Sequence, residues 1–296
     1  MAIALGSARS QTKTDTRQRF EVASVKLATD CGRNPNDPGP RGPGVSSPGR
    51  LELHCGTVAA LIQRAYVGFA NGVSLNRALL EIRGGPDWVR SAQYDIAAKA
   101  AGSAHVAQMS GPMLQQLLED RFQLKVHRET KQGDVYALTI AKNGFKLRPT
   151  KEGSCTPMDL DHWPPTPPAA GQPMPVECGA FRNPQSAPGT MKFEADGVTI
   201  AEFFANLSAL LLQQPVIDKT GLTGRFDFRL QFSRDLGLDL GSGKRGMGGR
   251  DPGPRVEAVG PSLPAALESQ LGLKMAPSKG PVEFLVIDQV ERPSAN

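Results

Sequence analysis

One phrase of the sequence occurs twice, and this repetition limits what the chain can fold into. "GPMLQQLLEDRFQLKV" fills residues 111–126, and "GPSLPAALESQLGLKM" fills residues 260–275. Both begin with Gly-Pro and carry Leu, Glu and Lys at matched places. The spacing of the apolar residues predicts one buried helical face that leads into a strand. A helix-then-strand phrase used twice predicts a duplicated structural unit.

The repeat extends upstream of this phrase in both copies. "GRLELHCGTVAALIQRAY" at residues 49–66 matches "GTMKFEADGVTIAEFFANL" at residues 189–207. Each stretch alternates as a short strand, and Thr57 or Thr199 then stands where a hydroxyl can cap a helix. A looser match follows between strand-like stretches at residues 91–100 and 223–232.

Four predicted helices carry apolar faces at helical spacing, matched in pairs between the copies. The faces comprise Val58, Leu61, Ile62 and Ala65; Ile200, Phe203, Phe204 and Leu207; Leu114, Leu117, Leu118 and Phe122; and Leu263, Ala266, Leu267 and Leu271. Helices this short do not stand alone in water, so these faces must lie on a sheet.

Each copy ends in two strands that we expect to form a β-hairpin. The turns are "TKQG" at residues 130–133 and "SKGP" at residues 278–281. The predicted fold class is therefore α+β, with two tandem copies of a small strand-helix-strand-helix-strand-strand module and helices packed on mixed sheets. The alternative is a single domain in which both copies share one continuous sheet.

These patterns divide the chain into four parts. Residues 1–16 form an N-terminal tail that could be a signal remnant, and residues 17–150 form the first module, which opens with an extra strand at residues 19–28. Residues 151–188 form a Pro-rich linker with one Cys pair. Residues 189–296 form the second module, interrupted by a Gly-rich insertion at residues 235–260.

Charge and hydropathy narrow the possible partners. The net charge is +5, but Lys and Arg are scattered and only 6% of the residues are aromatic. A nucleic-acid partner is not expected, because it favours a basic stripe and stacking aromatics. No apolar run approaches the roughly 20 residues of a membrane helix. The mild positive charge is compatible with attraction to anionic cell-surface polymers.

The four cysteines, Cys31, Cys55, Cys155 and Cys178, form no CxxC motif. An even number of loop cysteines favours disulfides in an oxidising compartment, although four unrelated thiols in a cytosolic protein are the alternative. Of the three connectivities, the local one pairs Cys31 with Cys55 and Cys155 with Cys178. The N-terminal apolar stretch is too short for a complete secretory signal, so we interpret it as the remnant of a signal whose true start lies upstream.

We expect no catalytic, cofactor or metal residues. "GSGKRG" at residues 241–246 lacks the spacing of a phosphate loop, and the Asn/Asp-containing stretch at residues 31–44 lacks the spacing of a calcium loop. Asp218 is expected to support its own turn, and Asp227 to face solvent.

Three residues form a candidate binding face. His127 and Arg128 stand together at the end of a predicted strand, and Trp88 stands in the turn-rich "GGPDW" at residues 84–88. Trp88 is expected chiefly to anchor its loop on the core. Catalysis by His127 would need a partner nucleophile, and no GxSxG-like context occurs.

The chain resembles a family of uncharacterised, soil-associated exported proteins that is expanded in acidobacterial genomes and carries a domain of unknown function. Its markers occur here as "FEVASVK", "GGPDW", "FQLKVHRET", "VYALTIAKNGFKLRP", "VIDKTGLTGRFDF" and "GPVEFLVIDQVERPSAN". The resemblance implies export and no established activity. The second copy is also similar to the short N-terminal domain of secretins and TonB-dependent transducers, which docks to protein partners.

Together these observations predict an exported protein, periplasmic or extracellular, that acts as a non-catalytic binding module at the cell envelope. Its expected partner is an envelope protein or a cell-wall polymer. The alternative hypothesis is a hydrolase-type enzyme with a site between the two copies that involves His127.

Overall fold

The computed structural model describes residues 19–29, 31, 46–72, 80–159, 175–184, 186–212, 214–233 and 260–293. The predicted N-terminal tail, the phosphate-loop-like "GSGKRG", nearly all of the calcium-loop-like stretch and nearly all of the Gly-rich insertion lie outside these residues. Within the described part, no helix has the length and apolar character needed to cross a membrane.

Eleven strands are described. They are β1 Phe20–Leu27, β2 Arg50–Thr57, β3 Glu81–Gly84, β4 Gln93–Ala100, β5 Lys125–Ile140, β6 Arg148–Pro149, β7 Ala180–Arg182, β8 Thr190–Val198, β9 Val216–Asp218, β10 Phe226–Ser233 and β11 Leu273–Gln289.

Six α-helical segments accompany these strands, and several continue into a π-helical turn. They are α1 Val58–Ile62, continuing over Gln63–Gly68; α2 Trp88–Ser91; α3 Val106–Gln108, continuing over Met109–Met113 into α4 Leu114–Phe122; α5 Ile200–Leu207, continuing over Ser208–Leu212; and α6 Leu263–Ala266, continuing over Leu267–Leu271.

The strands form three sheets. Sheet A has the order β1-β4-β2, sheet B the order β3-β11-β5-β9, and sheet C the order β6-β10-β8-β7. We call sheet A, α1 to α4 and the adjoining end of sheet B lobe 1. Sheet C, α5, α6 and the other end of sheet B form lobe 2. The α+β class with helices packed on mixed sheets is confirmed.

The two longest strands connect the lobes. β5 and β11 pair antiparallel along almost their whole length, from Leu273 opposite Ile140 to Gln289 opposite Lys125. The predicted hairpins are therefore wrong, because each pair of predicted strands is one continuous strand and its partner comes from the other half of the chain. Neither predicted turn sequence bends the chain back.

Each lobe consequently contains strand residues from both halves of the chain. Leu285 and Ile287, near the C-terminus, lie in the core of lobe 1, whereas Tyr136 and Leu138 lie in the core of lobe 2. The prediction of two self-contained tandem modules is not confirmed, because sheet B is shared between the lobes, whereas sheets A and C each belong to one lobe.

The register of the shared sheet agrees with the sequence repeat. The repeat matches Gln132 with Pro281, and these two residues are partners in the ladder between β5 and β11. A twofold rotation at this point would exchange the lobes. It would also exchange β3, which pairs parallel with β11, and β9, which pairs parallel with β5.

The helical faces predicted from apolar spacing all lie in the two cores, and each of their residues is buried. Two helices begin as expected. The hydroxyl of Thr57 accepts a hydrogen bond from the Ala60 N–H, and Thr199 forms a capping box with Glu202. The extra alternating strand predicted near the N-terminus is β1, which pairs with β4.

The segment predicted as a linker contributes to lobe 2. β7, Ala180–Arg182, pairs with β8, and β6, at the end of the predicted first module, pairs with β10. β6 thus takes the place beside β10 that β1 takes beside β4. Residues 160–174 of this segment lie outside the described chain.

Candidate functional site

His127 lies on the outer face of sheet B, which we define as the face turned away from both cores. Its Nδ1 lies 2.9 Å from Oδ2 and 3.0 Å from Oδ1 of Asp288, at the end of β11. The two side chains are about half exposed, at 52% and 47%. The pair is five residues, or roughly 17 Å at 3.3 Å per residue, from the centre of the sheet at Gln132, so it does not lie at the junction of the lobes.

Arg128 lies on the opposite, inner face, because successive residues of a strand alternate between faces. Its guanidinium donates to Glu283 Oε1 at 2.7 Å and to the Tyr66 carbonyl at 2.7 Å. It therefore ties β11 to the helical part of lobe 1.

Trp88 is the first residue of α2, in lobe 1. It packs against the core, as expected of a loop anchor, and Arg292 stacks on its ring at 4.9 Å from the centroid. The three predicted binding residues therefore do not form one continuous surface, and only His127 lies on the outer face of sheet B.

The outer face of sheet B has an apolar centre. Val135 and Phe284 are buried but belong to neither core. The guanidinium of Arg83 lies 3.3 Å from the centroid of the Phe284 ring. Ile217 and Val286, on the same face, are half-buried.

Ion pairs surround this apolar centre. They join His127 to Asp288 at 2.9 Å, Lys131 to Glu129 at 3.0 Å, and Arg83 to Glu81 at 3.0 Å. An apolar centre with a charged rim is the composition found at protein–protein interfaces.

The two strand aspartates have a structural role. Asp95 Oδ1 accepts from the Cys55 N–H at 2.9 Å, and Asp227 Oδ1 accepts from the Gly197 N–H at 2.7 Å and from the Thr150 hydroxyl at 2.8 Å. The expectation that Asp227 faces solvent is wrong, because it is half-buried and fixes the bulge before α5. Cys55 and Gly197, at matched positions, both have positive φ, at 54° and 59°.

Asp218 supports its own turn, as expected. Its Oδ1 accepts from the Thr220 N–H at 2.8 Å and from the Thr220 hydroxyl at 2.7 Å. Its carboxylate is not in contact with that of Asp227, so the two do not form an acid/base pair.

Both disulfides are local. Cys31 bonds to Cys55 and Cys155 to Cys178, with Cα–Cα distances of 5.6 Å and 5.0 Å, so no cysteine is free. The second disulfide packs on Gly197, the counterpart of Cys55. The first disulfide thus fastens the chain that follows β1 to the bulge before α1, and the second joins the chain that follows β6 to the segment before β7, beside the bulge before α5.

Removal of either disulfide is expected to cost similar stability. The closed loops span separations of 24 and 23 residues. Loop-closure entropy then predicts a loss of about 3 kcal/mol for Cys31→Ala/Cys55→Ala, and about 3 kcal/mol for Cys155→Ala/Cys178→Ala. Urea unfolding of each double variant measures the loss. A loss under about 1 kcal/mol in either would show that its loop is already fixed in the unfolded chain.

The outer surface of sheet C carries a charged network. Arg182 and Arg229 contact Asp196, Arg229 also contacts Glu194 at 3.4 Å, and Lys192 contacts Glu194 at 3.1 Å. The hydrogen bond from Lys192 is the main cause that lowers the pKa of Glu194 below its ordinary value; desolvation opposes it, and the charge of Arg229 adds to the lowering.

The Glu194 interaction predicts an acid-dependent contribution to stability. A carboxylate with a lowered folded pKa stabilises the protein above its unfolded pKa, and this contribution disappears as the pH falls through the folded value. Glu194→Gln should therefore lower the urea midpoint slightly at pH 7, and the difference should disappear at an acid pH below the folded pKa of Glu194. A deficit that stayed the same at both pH values would contradict this assignment.

Arg64 is a partly buried cation of lobe 1. Its guanidinium donates to Ser110 at 2.9 Å and lies over the Phe69 ring, and burial lowers its pKa. Arg64 remains positively charged at neutral pH because its ordinary pKa is very high. It joins the turn after α1 to the turn before α4, which indicates a packing role.

Two cavities are shaped by the lobe-1 helices. One of about 230 Å³ lies between β1 and α4, and one of about 330 Å³ lies beside the start of β5. Tyr66, Glu119, Gln123, Leu124, Lys125 and Val126 line the second cavity. His127 lines neither. Across the described ranges, no three His, Cys, Asp or Glu side chains are grouped to hold a metal ion.

Sequence reasoning missed Asp288, the partner of His127. The two residues are 161 positions apart, and no local pattern connects them. The register of β5 against β11, which places His127 opposite Val286, is what brings them together.

Fold and surface together define an α+β protein of two lobes that share a central sheet with an ion-paired outer face. The chain belongs to the family described as protein of unknown function (DUF3738), whose model matches residues 60–290. The match spans both lobes and confirms the expected domain of unknown function. No curated protein matches the chain, and no solved structure matches it.

Proposed function

We propose that this protein is an exported binding module that docks a protein partner at the cell envelope. The observation that carries the proposal is the outer face of sheet B. Its apolar residues lie outside both cores, and ion pairs ring them. The similarity of the second half to a docking domain of secretins and transducers supports a protein partner over a wall polymer.

The two disulfides support export. Structural disulfides persist in oxidising compartments and are rare in the cytosol. Alkylation of protein recovered from its native host, with and without reductant, followed by mass measurement, counts the free thiols. We expect none before reduction and four after it, and four free thiols before reduction would contradict export.

The docking surface is tested with two lysine substitutions of equal charge. Val286→Lys places a charge on the outer face of sheet B, whereas Gln231→Lys places it on the exposed surface of sheet C. Affinity capture from envelope extracts identifies a partner, and the purified partner is then titrated against each variant. Val286→Lys should weaken binding about tenfold or more, and Gln231→Lys should leave it unchanged.

Two results would overturn this proposal. One is a partner whose affinity is the same for both variants. The other is co-sedimentation of the wild-type protein with purified cell-wall sacculi, at an affinity that Val286→Lys does not alter, since this would identify a wall polymer.

A hydrolase is the second candidate, and the His127–Asp288 contact favours it. A carboxylate that orients a histidine supplies two of the three members of a catalytic triad, and the nucleophile is the third. Asp288 is the hydrogen-bond partner that the described residues give His127, and a nucleophile would have to reach its other ring nitrogen. Turnover of chromogenic esters and amides that His127→Ala abolishes and Lys131→Ala preserves would establish this candidate, and no turnover by wild type would eliminate it.

A further inference from the structure

The cavity between β1 and α4 lies in lobe 1, away from the outer face of sheet B. Its volume is about 230 Å³. The residues that line it are Arg19, Phe20, Glu21, Ala23, Met113, Gln116, Leu117, Asp120 and Arg121. This is smaller than the roughly 300–1,000 Å³ of pockets for drug-sized ligands, so it suits a smaller molecule.

A buried amide lines this cavity. Gln116 is only 8% exposed, and its Nε2 donates to Asp120 Oδ1 at 2.9 Å, one helical turn later. Burial of an amide is costly unless its polar atoms are satisfied. The matched residue of lobe 2 is Ala265, so the shared scaffold does not require an amide at this position.

Lobe 2 has a different arrangement at the matched place. β6 is only two residues long. Beyond it, the Gln270 side chain pairs with the edge of β10: its Oε1 accepts from the Gln231 N–H at 3.0 Å, and its Nε2 donates to the Gln231 carbonyl at 2.7 Å. In lobe 1 the eight-residue β1 fills that edge, and Arg121, the counterpart of Gln270, donates to the Ala23 carbonyl at 3.1 Å. The cavity is therefore a feature that lobe 1 has in addition to the shared scaffold.

The lining combines an apolar floor with charges of both signs. Met113 and Leu117 are buried members of the lobe-1 core, at 2% and 6% exposure. Two cations, Arg19 and Arg121, and two anions, Glu21 and Asp120, complete the lining, with Arg19 Nη2 3.5 Å from Asp120 Oδ1. Such a lining is complementary to a small molecule that carries an ammonium, a carboxylate and an apolar group.

We propose that this cavity binds a free α-amino acid with an apolar side chain, of the size of leucine. Its side chain lies on Met113 and Leu117, its ammonium donates to the Asp120 carboxylate and to the Gln116 amide oxygen, and its carboxylate faces the arginines. This site is independent of the docking face on sheet B, so either proposal can fail without the other.

The test is a titration of the full-length, disulfide-bonded protein with leucine, followed by NMR chemical shifts and calorimetry. Three probes each lack one feature: leucinamide lacks the carboxylate, 4-methylpentanoate lacks the ammonium, and glycine lacks the side chain. Leucine should bind at least about tenfold more tightly than each of them, because each loses a charge-assisted contact or the apolar burial.

Variants locate the site. Gln116→Ala installs the lobe-2 residue, and Asp120→Ala removes the anion. Each should weaken leucine binding about tenfold or more. The matched lobe-2 change, Ser269→Ala, should leave it unaltered. If Asp120→Ala fails to fold, Gln116→Ala still decides the outcome.

Three results would overturn the proposal: no shift with leucine up to the order of 10 mM, equal binding of leucine and its three analogues, or binding that Gln116→Ala leaves unchanged.

Discussion

Neither half of the chain, expressed separately, is expected to fold as a monomer. Leu285 and Ile287 of β11 complete the core of lobe 1, and Tyr136 and Leu138 of β5 complete the core of lobe 2. A fragment that ends at residue 165 therefore lacks part of its own core. A fragment that begins at residue 166 lacks the strand that should lie beside β11.

The fragments carry Cys155→Ala and Cys178→Ala, because the disulfide between these positions would otherwise link them. Each fragment alone should show no cooperative unfolding as a monomer, and an equimolar mixture should recover the circular dichroism of the intact double variant, which is the control. Sedimentation and urea unfolding measure both properties. A fragment that is a cooperatively folded monomer would show that its lobe does not need the exchanged strand.

Gly272→Val should be the most damaging single substitution among those considered. Gly272 is the residue that ends the helical segment after α6, and its backbone is left-handed, with φ +67°. An added Cβ would overlap the carbonyl oxygen of Gly144 and lie 2.7 Å from the Cα of Phe145. Left-handed strain on a β-branched residue and displacement of this backbone should together cost about 3–5 kcal/mol.

The matched position in lobe 1 provides the control. Gln123 also has a left-handed backbone, with φ +49°, although it is not glycine. Gln123→Gly relieves that strain but removes the side-chain hydrogen bond to the Asp120 carbonyl, so stability should change by less than about 1 kcal/mol. Urea unfolding at neutral pH compares the two variants, and an equally small effect of Gly272→Val would contradict the close packing against Gly144.

The local structure was predictable because its causes are local. Apolar spacing placed Leu114, Leu118 and Phe122 in the core, and the hydroxyls of Thr57 and Thr199 marked two helix starts. These features depend on residues only a few positions apart. The local disulfides belong to the same group, since each closes a short loop.

The pairing of β5 with β11 was not predictable in the same way. Alternation determines which face of a strand is buried but not which strand lies beside it. Because the repeats are similar, a strand of either copy can complete either lobe. The glycines that suggested two turns, Gly133 and Gly280, instead lie opposite each other in the ladder. The His127–Asp288 contact depends on this pairing and could not be predicted without it.

Cross-strand backbone NOEs in the intact protein test the central claim, which is that the two halves complete each other through β5 and β11. The structure predicts contacts that join His127 to Val286 in lobe 1 and Ala137 to Ala276 in lobe 2, since these residues face each other in the ladder. Contacts between the two ends of β5 itself, with none to β11, would mean that each copy folds back as a hairpin and would contradict the account.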